Sequence, residues 1–166
     1  MKKKKKSRSR CTMGRVLISI GILVRILQIT GVYLRLPVAS GALLSACMLC
    51  FFIGGLGVFA YEHRGAATFF SLLCALCSLL GGFLVSLTDS GAFAGFLSTA
   101  FYFLTFGTFG AMIFSLGKPV QKGAGALIIL LGALLILPLA GVSMSEGVLL
   151  ALLIGTWTWM GISIYL

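Results

Sequence analysis

Acidic side chains are almost missing from this chain. Asp and Glu together number 3 in 166 residues, beside a single histidine. The three acids, Glu62, Asp89 and Glu146, stand far apart. That leaves no paired carboxylates for general acid and base, no Ser–His–Asp set and no histidines at metal-ligand spacing. A phosphate-binding glycine loop is absent as well. A hydrolase or kinase is therefore not expected, and no cofactor is implied. An enzyme of lipid headgroups would need polar groups gathered at one interface, and the sequence gathers none.

Charge of any sign is scarce. Charged residues are 10% of the chain and apolar ones 60%, where a soluble domain carries about 25% and about 45–50%. So little polar surface cannot cover a globule in water. The charge is also segregated: of 13 Lys and Arg, seven (Lys2, Lys3, Lys4, Lys5, Lys6, Arg8 and Arg10) fall in the first ten residues. The net charge of +10 thus describes one terminus. No basic groove or aromatic platform follows it, which argues against a nucleic-acid partner. Beside an apolar run, such a cluster reads as a topology signal and as a contact for anionic lipid headgroups. Residues 1–13 are too charged to bury and are expected to form a disordered cytoplasmic tail.

What is present in quantity is apolar sequence. A bilayer core of about 30 Å needs roughly 20 apolar residues as helix. Six runs meet or approach that length: 16–34, 39–60, 66–87, 92–116, 124–142 and 147–166. The fold expected is an all-α integral membrane protein, with one six-helix transmembrane domain over residues 14–166. Pro37 and Pro119 sit at separators, where a missing backbone donor costs little. Pro138, near the end of the fifth run, is expected to kink or end that helix. Tyr33, Tyr61 and Tyr165 fall near span ends, as interfacial aromatics do. The fourth run is rich in phenylalanine distributed all round the helix, which reads as lipid-facing and seam packing.

Orientation follows from the positive-inside rule. The basic tail places the N-terminus in the cytoplasm. The second and fourth separators, with His63-Arg64 and Lys118–Lys122, then lie inside; those with Asp89 and Glu146 lie outside, Arg35 being the exception. A signal peptide is the competing reading of the first run, with Val38-Ala39-Ser40 as a small-residue cleavage site and five spans remaining. Its long apolar part, interrupted by Arg25, favours the six-span reading.

The six spans pair into three antiparallel hairpins, N-in and C-in. Each hairpin opens on a basic residue beside a glycine: Gly14-Arg15, Arg64-Gly65 and Lys122-Gly123. Each second helix carries a glycine pattern: Gly54-Gly55 with Gly57, Gly107 with Gly110, and Gly155 with Gly161. In a bilayer such glycines permit close backbone approach. This arrangement, with the run Leu153-Ile154-Gly155-Thr156-Trp157-Thr158-Trp159-Met160-Gly161-Ile162, is similar to the HdeD-type acid-resistance membrane proteins over residues 14–166. Pro37 stands where that family places a proline at the outer turn; the second hairpin has Thr88-Asp89-Ser90 there. The resemblance implies a small protein of the bacterial inner (plasma) membrane linked to acid or envelope stress. It carries over no catalytic residues.

Three sets of residues could carry chemistry. Arg25 lies ten residues from both Arg15 and Arg35, about 15 Å along the helix from either. Its side chain reaches roughly 6–7 Å, too short to snorkel to a headgroup from there without thinning the bilayer. A central arginine costs about 2.5–3.5 kcal/mol on insertion scales, and no acid lies at its depth. Gln28, one turn on, shares its face. The functional reading is an anion or proton-coupled pathway, or a lipid phosphate drawn inward. The plain reading is an arginine satisfied by carbonyls, water or a partner subunit.

Cys47, Cys50, Cys74 and Cys77 form a double C-x-x-C, each pair on one helical face and at similar depth in antiparallel helices. They read either as a metal or redox set or as small polarizable seam residues. His63 is a candidate pH sensor or an ordinary interfacial turn residue. The functions left open are a non-enzymatic stress protein working through packing, lipid or a partner; a small transporter or channel subunit, oligomeric, with Arg25 lining a polar cavity; and a membrane redox or metal protein.

Overall fold

The computed structural model describes residues 2–37, 41–88 and 91–166, with side chains from Cys11 onward except Ser86. Asp89 and the Val38-Ala39-Ser40 segment lie outside the described residues. So do the side chains of the seven basic residues expected to meet lipid headgroups. Among the described residues the secondary structure is six α-helices and one 3₁₀ turn, with no strand. The helices are α1 (Lys2–Tyr33), α2 (Ala42–Glu62), α3 (Ala66–Leu87), α4 (Ala92–Ser115), α5 (Pro119–Leu134) and α6 (Glu146–Ser163), with the 3₁₀ turn at Leu137–Ala140. All six spans are long and apolar enough to cross a bilayer. Large apolar side chains such as Leu27, Leu43, Phe69, Phe83 and Phe93 are exposed around the outside, a surface suited to lipid and not to water. The chain is a multi-pass membrane protein.

Two boundaries differ from the sequence expectation. The first helix begins at Lys2, so the stretch read as a disordered tail is helical. Lys and Arg are good helix formers, and extending an existing helix costs far less than nucleating one. The fifth helix starts earlier than expected, with Lys118 as N-cap and Pro119 in its first turn, where proline's fixed φ is an advantage. Its α-helical part ends at Leu134, and Pro138 sits in the 3₁₀ turn that follows. Proline thus ends this helix, as expected.

The other ends have local causes. At the end of α1, Arg35 takes a left-handed φ of 56°. The Leu36 amide donates to the Gly31 carbonyl at 2.8 Å and the Arg35 amide to Val32 at 3.0 Å. This double bond pattern closes the helix and satisfies its last carbonyls. At the start of α6, the Ser145 hydroxyl accepts from the Val148 amide at 3.3 Å, a side-chain N-cap.

Each helix packs against the next, and α6 returns to α1, so the six form a closed ring. We call the end carrying His63, Lys118 and the C-terminus the near end, and the opposite end the far end. The pairing is uneven. Helix α1 lies closest on α2, and α4 lies close on both α3 and α5, whereas α5 and α6 meet only lightly. The third expected hairpin is thus the loosest; α5 draws its main contact from α4. The centre is filled by Phe52, Leu56, Phe106, Phe109, Met112, Trp157 and Met160, all buried.

Glycine explains the unevenness. A methyl group on Gly55 would come 2.5 Å from the Ile18 amide nitrogen, and one on Gly14 would come 2.6 Å from the Phe59 nitrogen. On Gly21 it would come 2.7 Å from the Phe52 nitrogen. The α4–α5 seam repeats this: Gly110 meets the Gly125 carbonyl and Ile129, Gly125 meets Phe114, and Gly132 meets Phe106. Gly14, Ile18 and Gly21 of α1 therefore match Gly125, Ile129 and Gly132 of α5 in spacing and role. Gly54, Gly57, Gly107 and Gly155 meet nothing within 4 Å, so only part of the sequence's glycine pattern serves backbone approach.

This makes the seam testable. Gly55→Ala should lower stability by about 1–3 kcal/mol, the usual cost of overpacking a fitted contact. Gly54→Ala and Gly57→Ala should leave it unchanged or slightly raised. Unfolding of the purified protein in detergent, followed by circular dichroism, separates the three.

Candidate functional site

The α1–α2 seam sets the register of everything at Arg25. With Gly14 against Phe59, Ile18 against Gly55 and Gly21 against Phe52, the next turns bring Gln28 opposite Ser45. The Gln28 amide nitrogen donates to the Ser45 hydroxyl at 2.6 Å. Its carbonyl oxygen accepts from Arg25 Nη1, also at 2.6 Å. Arg25 and Gln28 were expected to pair, and they do; Ser45 is the third member, invisible without the register.

The guanidinium lies over the Tyr102 ring of α4, 5.3 Å from its centroid, a cation–π contact strengthened by exclusion of water. Tyr102 begins an aromatic chain into the core. It stacks on Phe106 at 5.9 Å, Phe106 meets Trp157 edge-on at 5.2 Å, and Trp157 meets Phe52 edge-on at 5.7 Å. The sequence placed Trp157 mid-span without a reason; the structure supplies one, since it joins α6 to α2 and α4. Trp159 packs elsewhere, its indole donating to the Ala124 carbonyl at 3.3 Å.

Beside Arg25 is a cavity of about 490 Å³ in the far half of the bundle. Helix α2 contributes Ser45, Met48 and Leu49; α3 contributes Cys77, Ser78, Gly81 and Gly82; α4 contributes Ser98, Tyr102 and Thr105; and Trp157 comes from α6. No acidic residue is among the lining residues described. Arg25 Nε and Trp157 Nε1 are both buried without a hydrogen-bond partner. A guanidinium has five donors and no acceptor, so an oxyanion is the group this wall is chemically prepared to receive.

The four paired cysteines are not brought together. Cys50 is exposed and Cys47 half-buried, while Cys74 and Cys77 are buried. Cys74 faces α4, its thiol 3.5 Å from the Thr105 carbonyl, because α3 turns its close face toward α4. There Gly81 abuts Phe101. Which way each pair faces depends on helix packing, which counting from a turn does not give. All five cysteines are free thiols, and no group of three or more potential metal ligands occurs among the described residues.

His63 lies at the near end, in the turn between α2 and α3. Its Nε2 is 3.5 Å from the Cys11 thiol, and its ring packs on Phe59 at 4.5 Å. Arg15 covers the same Phe59 ring at 5.6 Å. Burial holds the His63 pKa below the ordinary imidazole value; the nearby Arg15 charge lowers it further and Glu62 opposes. The Arg25 cavity and the His63 cluster, which meets α1 at Cys11 and Arg15, are therefore separate sites, about 15 Å apart along that helix.

No family model, curated protein or solved structure matches this chain. The resemblance to HdeD-type proteins rests on the residues quoted for it alone.

A pH dependence follows from His63. Its folded form favours neutral imidazole, so its contribution to stability is present above the unfolded value of about 6.5 and is lost as pH falls below it. Melting temperature should drop between pH 7.5 and pH 5.5, and His63→Gln should flatten that drop. Thermal melts of both proteins across this range provide the check.

Proposed function

We propose that this chain is a non-enzymatic small transporter or channel subunit of the bacterial inner membrane, and that it binds an anion at Arg25. The carrying observation is a half-buried arginine whose Nε is buried without a partner, lining a cavity of about 490 Å³ with no acid among the lining residues described. An arginine inside the bilayer is costly and marks a functional site when it faces a cavity. Gln28 and Ser45 hold its orientation, and Tyr102 supports its face, but neither Gln28 nor Tyr102 neutralises it. An arriving anion would. On the positive-inside reading the near end faces the cytoplasm, so the cavity belongs to the outer half of the membrane. The stress role implied by the HdeD-type resemblance, exercised through packing alone, gives the cavity and its unpartnered donors no use.

The test is anion flux in liposomes of neutral lipid, with inorganic phosphate and methanesulfonate as probes. Arg25→Leu should reduce flux about tenfold or more, the scale of losing a charge-assisted contact. Its melting temperature should hold or rise, because a buried charge is replaced by an apolar side chain. Equal flux in a well-folded Arg25→Leu protein overturns the proposal.

A further inference from the structure

The shape and walls of the Arg25 cavity narrow the class of anion. Its volume of about 490 Å³ equals roughly 16 water molecules at about 30 Å³ each. An inorganic ion would occupy a small part of it. Most of the wall is apolar, with Met48, Leu49, Phe101 and Trp157 among the lining residues, while the charge is concentrated at Arg25. One charged end and a long apolar body describe an amphiphile.

The cavity is also only partly enclosed. At the near end α2 and α3 are tied together, the Thr68 hydroxyl donating to the carbonyls of Ala60 and His63, both at 2.9 Å. Toward the far end Ala42 and Ala46 of α2 and Ser78 and Gly82 of α3 line the cavity. Ala42, Ala46 and Gly82 are exposed. A methyl group on Gly82 would meet only Leu49, at 4.0 Å. This contrasts with the interlocked α1–α2 and α4–α5 seams. In a bilayer, an exposed gap on the outer face of a span faces lipid.

We infer that the cavity takes a single-chain amphiphile from the surrounding bilayer, its oxyanion head seated on Arg25 and its hydrocarbon chain leaving between α2 and α3 past Gly82. The inference rests on reading the Arg25 cavity as an anion site. The head is a carboxylate or a phosphate, either of which can accept two donors of one guanidinium. The chain fills space that a small anion would leave to water against apolar walls.

Trp157 supplies the reporter. The chain has two tryptophans, so Trp159→Phe, outside the cavity, leaves Trp157 alone. The full-length protein in neutral phosphatidylcholine nanodiscs is titrated with dibrominated stearate, with its methyl ester and with a brominated lysophosphatidate. Trp157 fluorescence should be quenched saturably by one or both acids and only weakly and linearly by the ester. The acid saturating at lower concentration identifies the head. Arg25→Gln should raise the half-saturation point about tenfold, the worth of one charge-assisted contact. Gly82→Leu, which closes the gap without touching the charge, should do the same and serves if Arg25→Gln fails to fold.

Equal quenching by acid and ester, or quenching unchanged in both variants, means simple dilution in the bilayer and overturns the inference. A Trp157 response or Arg25-dependent flux with phosphate, but none with either amphiphile, overturns the amphiphile and leaves the anion site standing. Saturable binding of an acid without any anion flux keeps the ligand class and ends the transport reading.

Discussion

The structure depends on backbone-to-backbone contact between helices. In lipid, apolar side chains gain little from meeting one another, because hydrocarbon surrounds them either way. Association has to come from dispersion between closely fitted surfaces and from the few polar contacts. Gly14, Gly21 and Gly55 supply that fit between α1 and α2, and Gly110, Gly125 and Gly132 supply it between α4 and α5. These two clamps fix the relative height and rotation of four helices. The α2–α3, α5–α6 and α1–α6 contacts are looser, and the cavity lies where α2 and α3 meet lightly.

The same contact aims the charge. Because Gly21 lies against Phe52, the helix continues with Arg25 and Gln28 directed toward α2 and the bundle interior. A small rotation of α1 would turn Arg25 to lipid and separate Gln28 from Ser45. The arginine's cost in the membrane is met in part by Gln28 Oε1 and by the Tyr102 ring. Both are neutral, so the positive charge stays available. Across the bundle, the aromatic chain from Tyr102 through Phe106 and Trp157 to Phe52 ties α4, α6 and α2 together. The chain carries apolar aromatic surface from the charge into the core.

Much of this was legible in the residues. The six spans, their approximate ends, the helix stop at Pro138 and the Arg25–Gln28 pairing all follow from local rules of length, charge and helical spacing. The facing of the cysteines was not legible. Equal depth is a matter of counting from a turn, whereas facing depends on which neighbour a helix packs against most closely. The glycines divided in the same way: Gly54 and Gly55 are adjacent in sequence, yet only Gly55 meets another helix. The tail was misread because its charge suggested disorder, while its helix propensity and its continuity with α1 extended the helix.

By itself, the sequence determined that the chain is a helical membrane protein with six segments long and apolar enough to span a bilayer among the described residues, and with one charge placed inside the apolar region. Hydropathy, charge segregation and 3.6-residue spacing are properties of single segments and need no partner. Tertiary structure decided what Arg25 touches, that Ser45, Tyr102 and Trp157 join it, that residues of α1, α2, α3, α4 and α6 line one cavity, and that α5 leans on α4 more than on α6. Each of these is a relation between helices distant in sequence, set by which small residues allow two backbones to meet.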